Sequence, residues 1–497
     1  MEISDCAQMK SGRMSCKSMV KMKFRMMKKI LLWSALSLVS TAFCADTNDS
    51  PPAFPSAKQP WKRDGQAERF AAYRQEIRAL MELPPEQVRA CPAASDFPGT
   101  PPADSPRVER TVVVDTRVPR WHSTGLYAAP GEIITATVPT NAVHAKLRLR
   151  IGWHKDLLWS EKIPAWKRVP EITRSFAITE TVTRAANAFG GPVYIEVPRD
   201  CGLGNVEVKI ENAVAAPLFE HGKTDLAAWK NELCNAPAPW AELVGNNLAI
   251  SLPSANVRAL DNPDEVLKFW DRVVTAEDEL SGQTNRTSPE RFVLDRQISA
   301  GYMHSGYPIM AWLDQANKVA DLESLKKGNW GFFHELGHNH QRPDWVLAGT
   351  TEITVNIFSM YCFENVCGLP RHGHNAMSDA SREKNLRAYF SDPTASWTGK
   401  PFTGLIFYDQ LVEGFGWDTF HKIFIEYRDL PKSERPKNDD EKRDQWLVRF
   451  SKTTGKNLGP FFEAWRILTS EAARRSVTNL PVWLPEPDFP KRYLASK

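Results

Sequence analysis

The chain has 497 residues, 42% hydrophobic and 25% charged: long enough for two or three cores, and too mixed in composition for a disordered or membrane-embedded protein. Its formal charge of +4 is set at the N-terminus, where residues 1–45 hold eight basic and two acidic residues, a net +6 that leaves the remainder at −2. A basic excess confined to a leader is no footprint for DNA or RNA, and no internal apolar run reaches bilayer length, so a nucleic-acid partner and a stable membrane span are both excluded.

In chain order, the basic stretch Lys10 to Lys29 precedes "ILLWSALSLVSTAFCA", uncharged from Ile30 to Ala45. A basic start, a short apolar core and small residues at Ala42 and Ala45 predict a signal peptide over residues 1–45, with translation starting as late as Met22 or Met27. Five cysteines follow it, Cys91, Cys201, Cys234, Cys362 and Cys367; an odd count leaves one thiol unpaired, with Cys201–Cys234 and Cys362–Cys367 as the pairings to test. Residues 46–105 read as a polar leader, a helix from Gly65 to Leu83 with Phe70, Tyr73, Ile77 and Leu80 on one stripe, and a proline-rich linker, "CPAASDFPGTPPADSP".

From 106 to 215 the pattern becomes short β-branched runs divided by "APGE" and "FGGP" turns. In "KLRLRIG", Leu147, Leu149 and Ile151 face one side and Lys146, Arg148 and Arg150 the other, as in an antiparallel β-sandwich with one wet face. Helical signals dominate residues 216–480, with residues 481–497 as a C-terminal tail. The fold class is α+β and multidomain, a sandwich followed by a mainly helical domain.

That helical region contains "GNWGFFHELGHNHQ", residues 328–341. Helical pitch places His334 and His338 on one face, where two imidazoles can hold one ion. Glu335 projects beside that ion, placed to take a proton from an activated water and return it to a leaving amine. Nitrogen and oxygen donors with an open position suit one Zn2+ per chain. After His338, Gln341 stands where a metzincin needs glycine and Asp344 where it needs a ligand, so the third ligand is sought on a second helix. "GTTEITVNIFSMY" offers Glu352, fourteen residues past His338, with Pro343 ending the first helix, Gly349 turning the chain, and Thr350 or Thr351 as cap. Asp344 is a candidate to orient a ligand histidine. His340 points off the metal face, and His372 and His374 in "RHGHN" read as loop residues.

"WGFFHELGHNHQ" and "GTTEITVNIFSMY", with "STGLYAAPGEIITATVP", "WKRVPEITRSF", "ANAFGGPVYIEVP", "HSGYPIMAW", "YDQLVEGFGWDTF" and "TTGKNLGPFFEAW", resemble metallopeptidase family 60, the enhancin-like and mucin-degrading zinc peptidases, over roughly residues 106–470. The resemblance implies a β-sandwich ahead of a gluzincin catalytic domain and a secreted, cell-surface or periplasmic protein of a bacterium. It also implies cleavage of the peptide backbone beside O-glycosylated Ser or Thr in mucin-type glycoproteins. The alternatives are a general secreted zinc endopeptidase and a glycan-binding surface protein. Substrate-facing candidates are Trp153 and Trp330 as stacking aromatics, and His304 and Tyr307 in "MHSGYPIM", read as the edge strand that pairs with an extended substrate. Tyr408 is a candidate for stabilising the oxyanion.

Overall fold

The amphipathic helix forms from Ala67 to Glu82 and buries Phe70, Tyr73 and Ile77. Its partner is an aromatic cluster in which Phe70 lies 4.0 Å from Trp166 and Trp159 meets Trp166 edge-on at 5.2 Å. This computed structural model describes residues 54–494 apart from 64 and 66; the signal segment, and the export reading placed on it, lie outside the described residues. From Ser56 onward the chain is one compact unit, so the proline-rich segment is packed rather than a free tether. It makes a short turn over Pro92–Ser95, pinned where the Cys91 N–H donates to the Ala188 carbonyl at 2.8 Å.

Residues 107–215 form an antiparallel β-region of eight strands. Its long strand Asn205–Ala215 is bulged between Ile210 and Ala213. Paired along one edge with Arg107–Asp115, the bent strand serves two further neighbours: Lys209–Glu211 pairs with Thr135–Thr137, and Val214–Ala215 with Leu126–Tyr127. The sheet thereby wraps one core that includes Leu126, Ile134, Leu149, Ile195 and Ile210. Leu147, Leu149 and Ile151 are buried in it, as the alternation requires.

The region read as mainly helical opens with a six-stranded mixed sheet. Its order is Leu218–Glu220, Trp240–Val244, Leu248–Pro253, Glu290–Asp295, Ile309–Trp312 and, at the edge, Met303–His304. Every residue of Glu290–Asp295 is buried. A strand covered on both faces loses the alternation that marks a strand in sequence, so its pattern matched a buried helix. Helix Pro263–Leu280 packs against this sheet through Trp270, 5.0 Å edge-on from Phe292. Further helices build a second core around Trp345, Phe358, Phe407, Phe424, Trp446 and Phe461. The segment expected as a tail is part of that core: Trp483 packs on Phe415 and Phe461, and Phe489 on Phe390.

Buried polar links lock the β-region to this second region. Arg168 and Asp295, both with fully buried side chains, make a two-pronged pair at 2.8 Å and 2.8 Å. Tyr194 donates to Glu242 at 2.7 Å, and Glu242 pairs with Arg291, which also donates to Ser123 Oγ at 3.1 Å. All five described cysteines are free, so neither expected disulfide forms; Cys362 instead lies in the core against Glu277.

Candidate metal centre

The motif occupies helix Trp330–His340, capped where the Asn329 side chain accepts from the Phe332 N–H. Its apolar face fixes the helix in place: Phe332 lies 4.5 Å from Phe292 and 5.6 Å from Trp270. Chain direction then reverses through Pro343 and Gly349, the latter at φ +75°, into the short helix Thr351–Thr354 and helix Asn356–Asn365. No cap bond forms there; the Thr350 hydroxyl donates back to the Leu347 carbonyl at 2.9 Å. Gly337 sets how close the two helices come. A Cβ there would sit 2.9 Å from the Phe358 Cβ and 3.1 Å from the Val355 carbonyl oxygen, so only glycine lets the second helix bring Glu352 to the histidines.

The result is a tripod. His334 Nε2 is 3.1 Å from His338 Nε2 and 3.1 Å from Glu352 Oε2, and His338 Nε2 is 3.6 Å from the same oxygen. Donors about 2.0–2.1 Å from a tetrahedral ion lie roughly 3.3 Å apart, which these three edges bracket.

Hydrogen bonding around the tripod decides where the protons are. Asn356 Nδ2 donates to the Glu352 carbonyl at 2.8 Å, which orients the amide and leaves Oδ1 as acceptor for both Trp330 Nε1 and His334 Nδ1, each at 2.8 Å. Gln341 Nε2 likewise donates to the Thr351 carbonyl and the Thr354 hydroxyl, so its oxygen accepts from His338 Nδ1 at 2.7 Å. Each imidazole therefore carries its proton on Nδ1 and turns a bare Nε2 lone pair inward, toward the other and toward a carboxylate. Three converging electron-pair donors with no proton between them repel unless a cation sits among them. Burial lowers the pKa of His338, which keeps that lone pair available. The donor set fits zinc.

Glu335, adjacent and 8% exposed, is favoured in its charged form by the Ser305 N–H of the edge-strand loop. Burial raises its pKa, with the Glu352 charge adding to the rise and His334 and His304 opposing it. A cavity of about 350 Å³ beside it is bordered by Tyr302, Met303, Asn329 and Lys318. His304 stands at the edge strand with Nε2 2.7 Å from Asp156 Oδ2, a carboxylate supplied by the β-region.

The remaining sequence-predicted residues fall elsewhere. Asp344 does not orient a ligand histidine: its carboxylate is taken by Arg342 at 2.5 Å, and Gln341 and Asn356 hold the imidazoles instead. Trp153 is fully buried, 4.7 Å from Trp240, and forms no platform. Tyr408 lies in the helical core against Phe407 and Trp446, its hydroxyl sealed from any cleft. Tyr307 turns toward the β-region, under the Arg120 guanidinium and within 3.4 Å of the Trp121 N–H. Trp330 serves the tripod through Asn356 while its ring packs on Phe363 and His374. His340 is buried, 2.8 Å from Asp278.

Sequence reasoning missed Gln341, Asn356, Asp156, Ser305 and Tyr302. Helical spacing was the available signal for the two amides: Gln341 is three residues past His338 and Asn356 four past Glu352.

The sequence model described as "Peptidase M60, enhancin and enhancin-like" matches residues 212–466, and that of the N-terminal domain of M60-like peptidases matches residues 103–211. TRPM8 channel-associated factor 2 of Bos taurus is 38% identical over 388 residues, covering 76% of this chain and 42% of the relative. The chain thus spans less than half the length of that curated relative. A functionally unknown conserved protein of Bacillus anthracis shares the fold with a TM-score of 0.63 at 24% identity, over 78% of this chain and 82% of that one. The IMPa metallopeptidase of Pseudomonas aeruginosa does so with a TM-score of 0.61 at 17% identity, over 85% and 57%. IMPa has also been solved in complex with an O-glycopeptide and with T-antigen.

Proposed function

The chain belongs to the peptidase M60, enhancin and enhancin-like family, and from that premise we propose that it is an exported zinc endopeptidase that cuts the peptide backbone beside O-glycosylated Ser or Thr. The observation that carries the hydrolytic part is the tripod of inward lone pairs with a buried carboxylate at its side. His334, His338 and Glu352 would hold the ion. Zinc, when bound, supplies polarisation of the scissile carbonyl and acidification of a water. Glu335 takes the proton of the attacking water on its carboxylate and delivers it to the leaving nitrogen. The Ser305 N–H favours the charged form of that carboxylate beside the edge strand, along which an extended peptide adds as a further strand. His304, fixed by Asp156, flanks the same position.

Substrate class is supported by IMPa, which binds an O-glycopeptide on the same fold. Export is supported by the basic and apolar pattern of residues 10–45. Mass-spectrometric mapping of cleavage on one mucin-type glycopeptide, with and without its O-glycans, tests the reading, with Glu335→Ala and a chelated sample as controls. Cleavage of the glycosylated form alone, lost in both controls, is the expected result. Equal cleavage of both forms leaves a general endopeptidase, and undiminished cleavage by Glu335→Ala sinks the assignment of the base. The relatives named for association with a channel motivate a second reading, a binding protein. No cleavage of either form by the zinc-loaded chain would favour it.

A further inference from the structure

A second cavity, of about 470 Å³, opens where the β-region meets the helical part, and its lining includes Arg117, Arg120, Arg199, Arg286 and Arg428. Glu290 is the one acidic residue in that lining. Arg117 pairs with Asp115 at 2.8 Å, while Arg120 and Arg286 share Glu290 at 3.3 Å and 2.8 Å. Arg286 also takes Asp278 at 2.6 Å. Five guanidiniums thus meet three carboxylates. Among the described residues, Arg199 and Arg428 have no carboxylate within ion-pair reach. Arg199 is exposed, and Arg428 donates from Nε to the Ser281 carbonyl at 3.0 Å, with the rest of its fork uncommitted to any carboxylate. Burial and the neighbouring Arg342 both work against the charge on Arg428, so a bound anion would relieve an existing cost.

The rest of the wall narrows the anion. Pro119 is the sole apolar residue lining the cavity, and Thr284, Asn285 and Thr287 supply hydroxyl and amide groups. Guanidinium forks match the paired oxygens of a carboxylate or sulfate, and hydroxyls and amides match a polyol. A wall this polar offers nothing to a nucleobase or an acyl chain. We propose that this pocket binds an acidic sugar, a pyranose bearing a carboxylate or a sulfate ester. It shares no residue with the tripod, yet Glu290 in its wall accepts from Asn339 of the motif helix at 3.2 Å, which sets the pocket against the helix that carries His334 and His338. Binding here needs neither metal nor hydrolysis, so it stands or falls separately from the proposed protease activity.

Isothermal titration calorimetry on the full chain in chelator tests it, with N-acetylneuraminic acid, galactose 6-sulfate, lactose and inorganic sulfate as probes. At least one acidic sugar is expected to saturate while lactose at the same concentration gives no heat; which acid binds better identifies the anion. Arg199→Glu, at an exposed site without an ion pair, is expected to keep its melting temperature and weaken that binding by at least about tenfold, the scale of one charge-assisted contact. Arg428→Gln is expected to weaken it as well. Equal binding of lactose, no binding of either acid, or unchanged affinity in Arg199→Glu would overturn the proposal. So would inorganic sulfate matching both acidic sugars, since the pocket would then hold an adventitious ion only.

Discussion

Among the described residues, two clusters bring three histidine and carboxylate groups together with their donor atoms all within 4.8 Å of one another, and only one is built for a metal. In the first, His334, His338 and Glu352 converge; in the second, His372, Asp409 and Glu413 do. The difference lies in the protons. Around the first, Asn356 and Gln341 draw the imidazole N–H groups outward and leave lone pairs facing in. In the second, the protons point inward. His372 Nε2 lies 2.9 Å from both oxygens of the fully buried Asp409, and Nδ1 faces Arg382 at 3.4 Å. Arg371 and Arg382 add bonds of 2.9 Å and 2.7 Å to the same carboxylate, and Arg382 reaches Glu413 at 2.7 Å. Two guanidiniums already supply the charge a cation would bring. Proximity of donor atoms is therefore a poor guide to a metal site; the direction of their protons is a good one.

The strongest way to break this comparison is to remove a donor from each cluster and count metal. His338→Ala is expected to drop bound zinc from one per chain to none at micromolar zinc, with activity lost. Asp409→Asn is expected to keep one zinc per chain, measured by plasma emission spectrometry on the folded fraction. Zinc lost from both variants, or from neither, would erase the distinction.

Stability should divide the other way. Asp409→Asn leaves two guanidiniums facing a neutral amide, and breaking a buried charge network in this way costs about 3–5 kcal/mol. Burial pushes the Asp409 pKa up, but the His372 bond and the Arg382 charge outweigh it and hold the group below the ordinary range. A carboxylate depressed on folding stabilises above its unfolded pKa, about 3.9, and that contribution fades as pH falls through the lower folded value. Urea unfolding should therefore show a gap between wild type and Asp409→Asn that is full at neutral pH and narrows below about pH 4.

A smaller effect tests the proton argument itself. Asn356→Ala removes the acceptor for His334 Nδ1 and Trp330 Nε1, and a bond to the Glu352 carbonyl, while all three side chains proposed to hold the metal stay in the chain. Such partners are worth roughly 10–100-fold in metal affinity. Competition with a chromophoric chelator should show a loss of that size; unchanged affinity would mean the ring is oriented by packing alone.

What was legible in the sequence follows the same physics. Periodicity reveals elements with one wet face, so the helix Ala67–Glu82 and the alternation of Leu147, Leu149 and Ile151 could be read. It fails where both faces are covered, which hid Glu290–Asp295 and with it the sheet whose edge borders the cleft. The spacing of His334, Glu335 and His338, with chain breakers before Glu352, was legible because helical pitch and a tight return leave few arrangements. Tyr408 and Trp153 were misplaced because an aromatic beside a motif reads the same whether it lines a cleft or a core. Asn356 and Gln341 were passed over for Asp344 because a charge draws attention and a neutral amide does not. Yet an amide does what the carboxylate cannot, donating to the backbone with one end while accepting from imidazole with the other.

That last point yields the smallest expected effect and the sharpest control. Asp344 follows the motif closely and carries the charge that usually orients a ligand histidine, but its carboxylate faces Arg342 at 2.5 Å and Arg435 at 4.0 Å. Asp344→Asn should leave zinc affinity within about twofold of wild type, because the imidazole protons end on Asn356 and Gln341. The pair it breaks joins a nearly buried carboxylate to an arginine 21% exposed, so a modest fall in melting temperature is the only change expected. If Asp344→Asn instead lost zinc as severely as Asn356→Ala, the outward path of the protons would have to run through the carboxylate. The contrast between the two clusters would then rest on charge rather than on amide geometry.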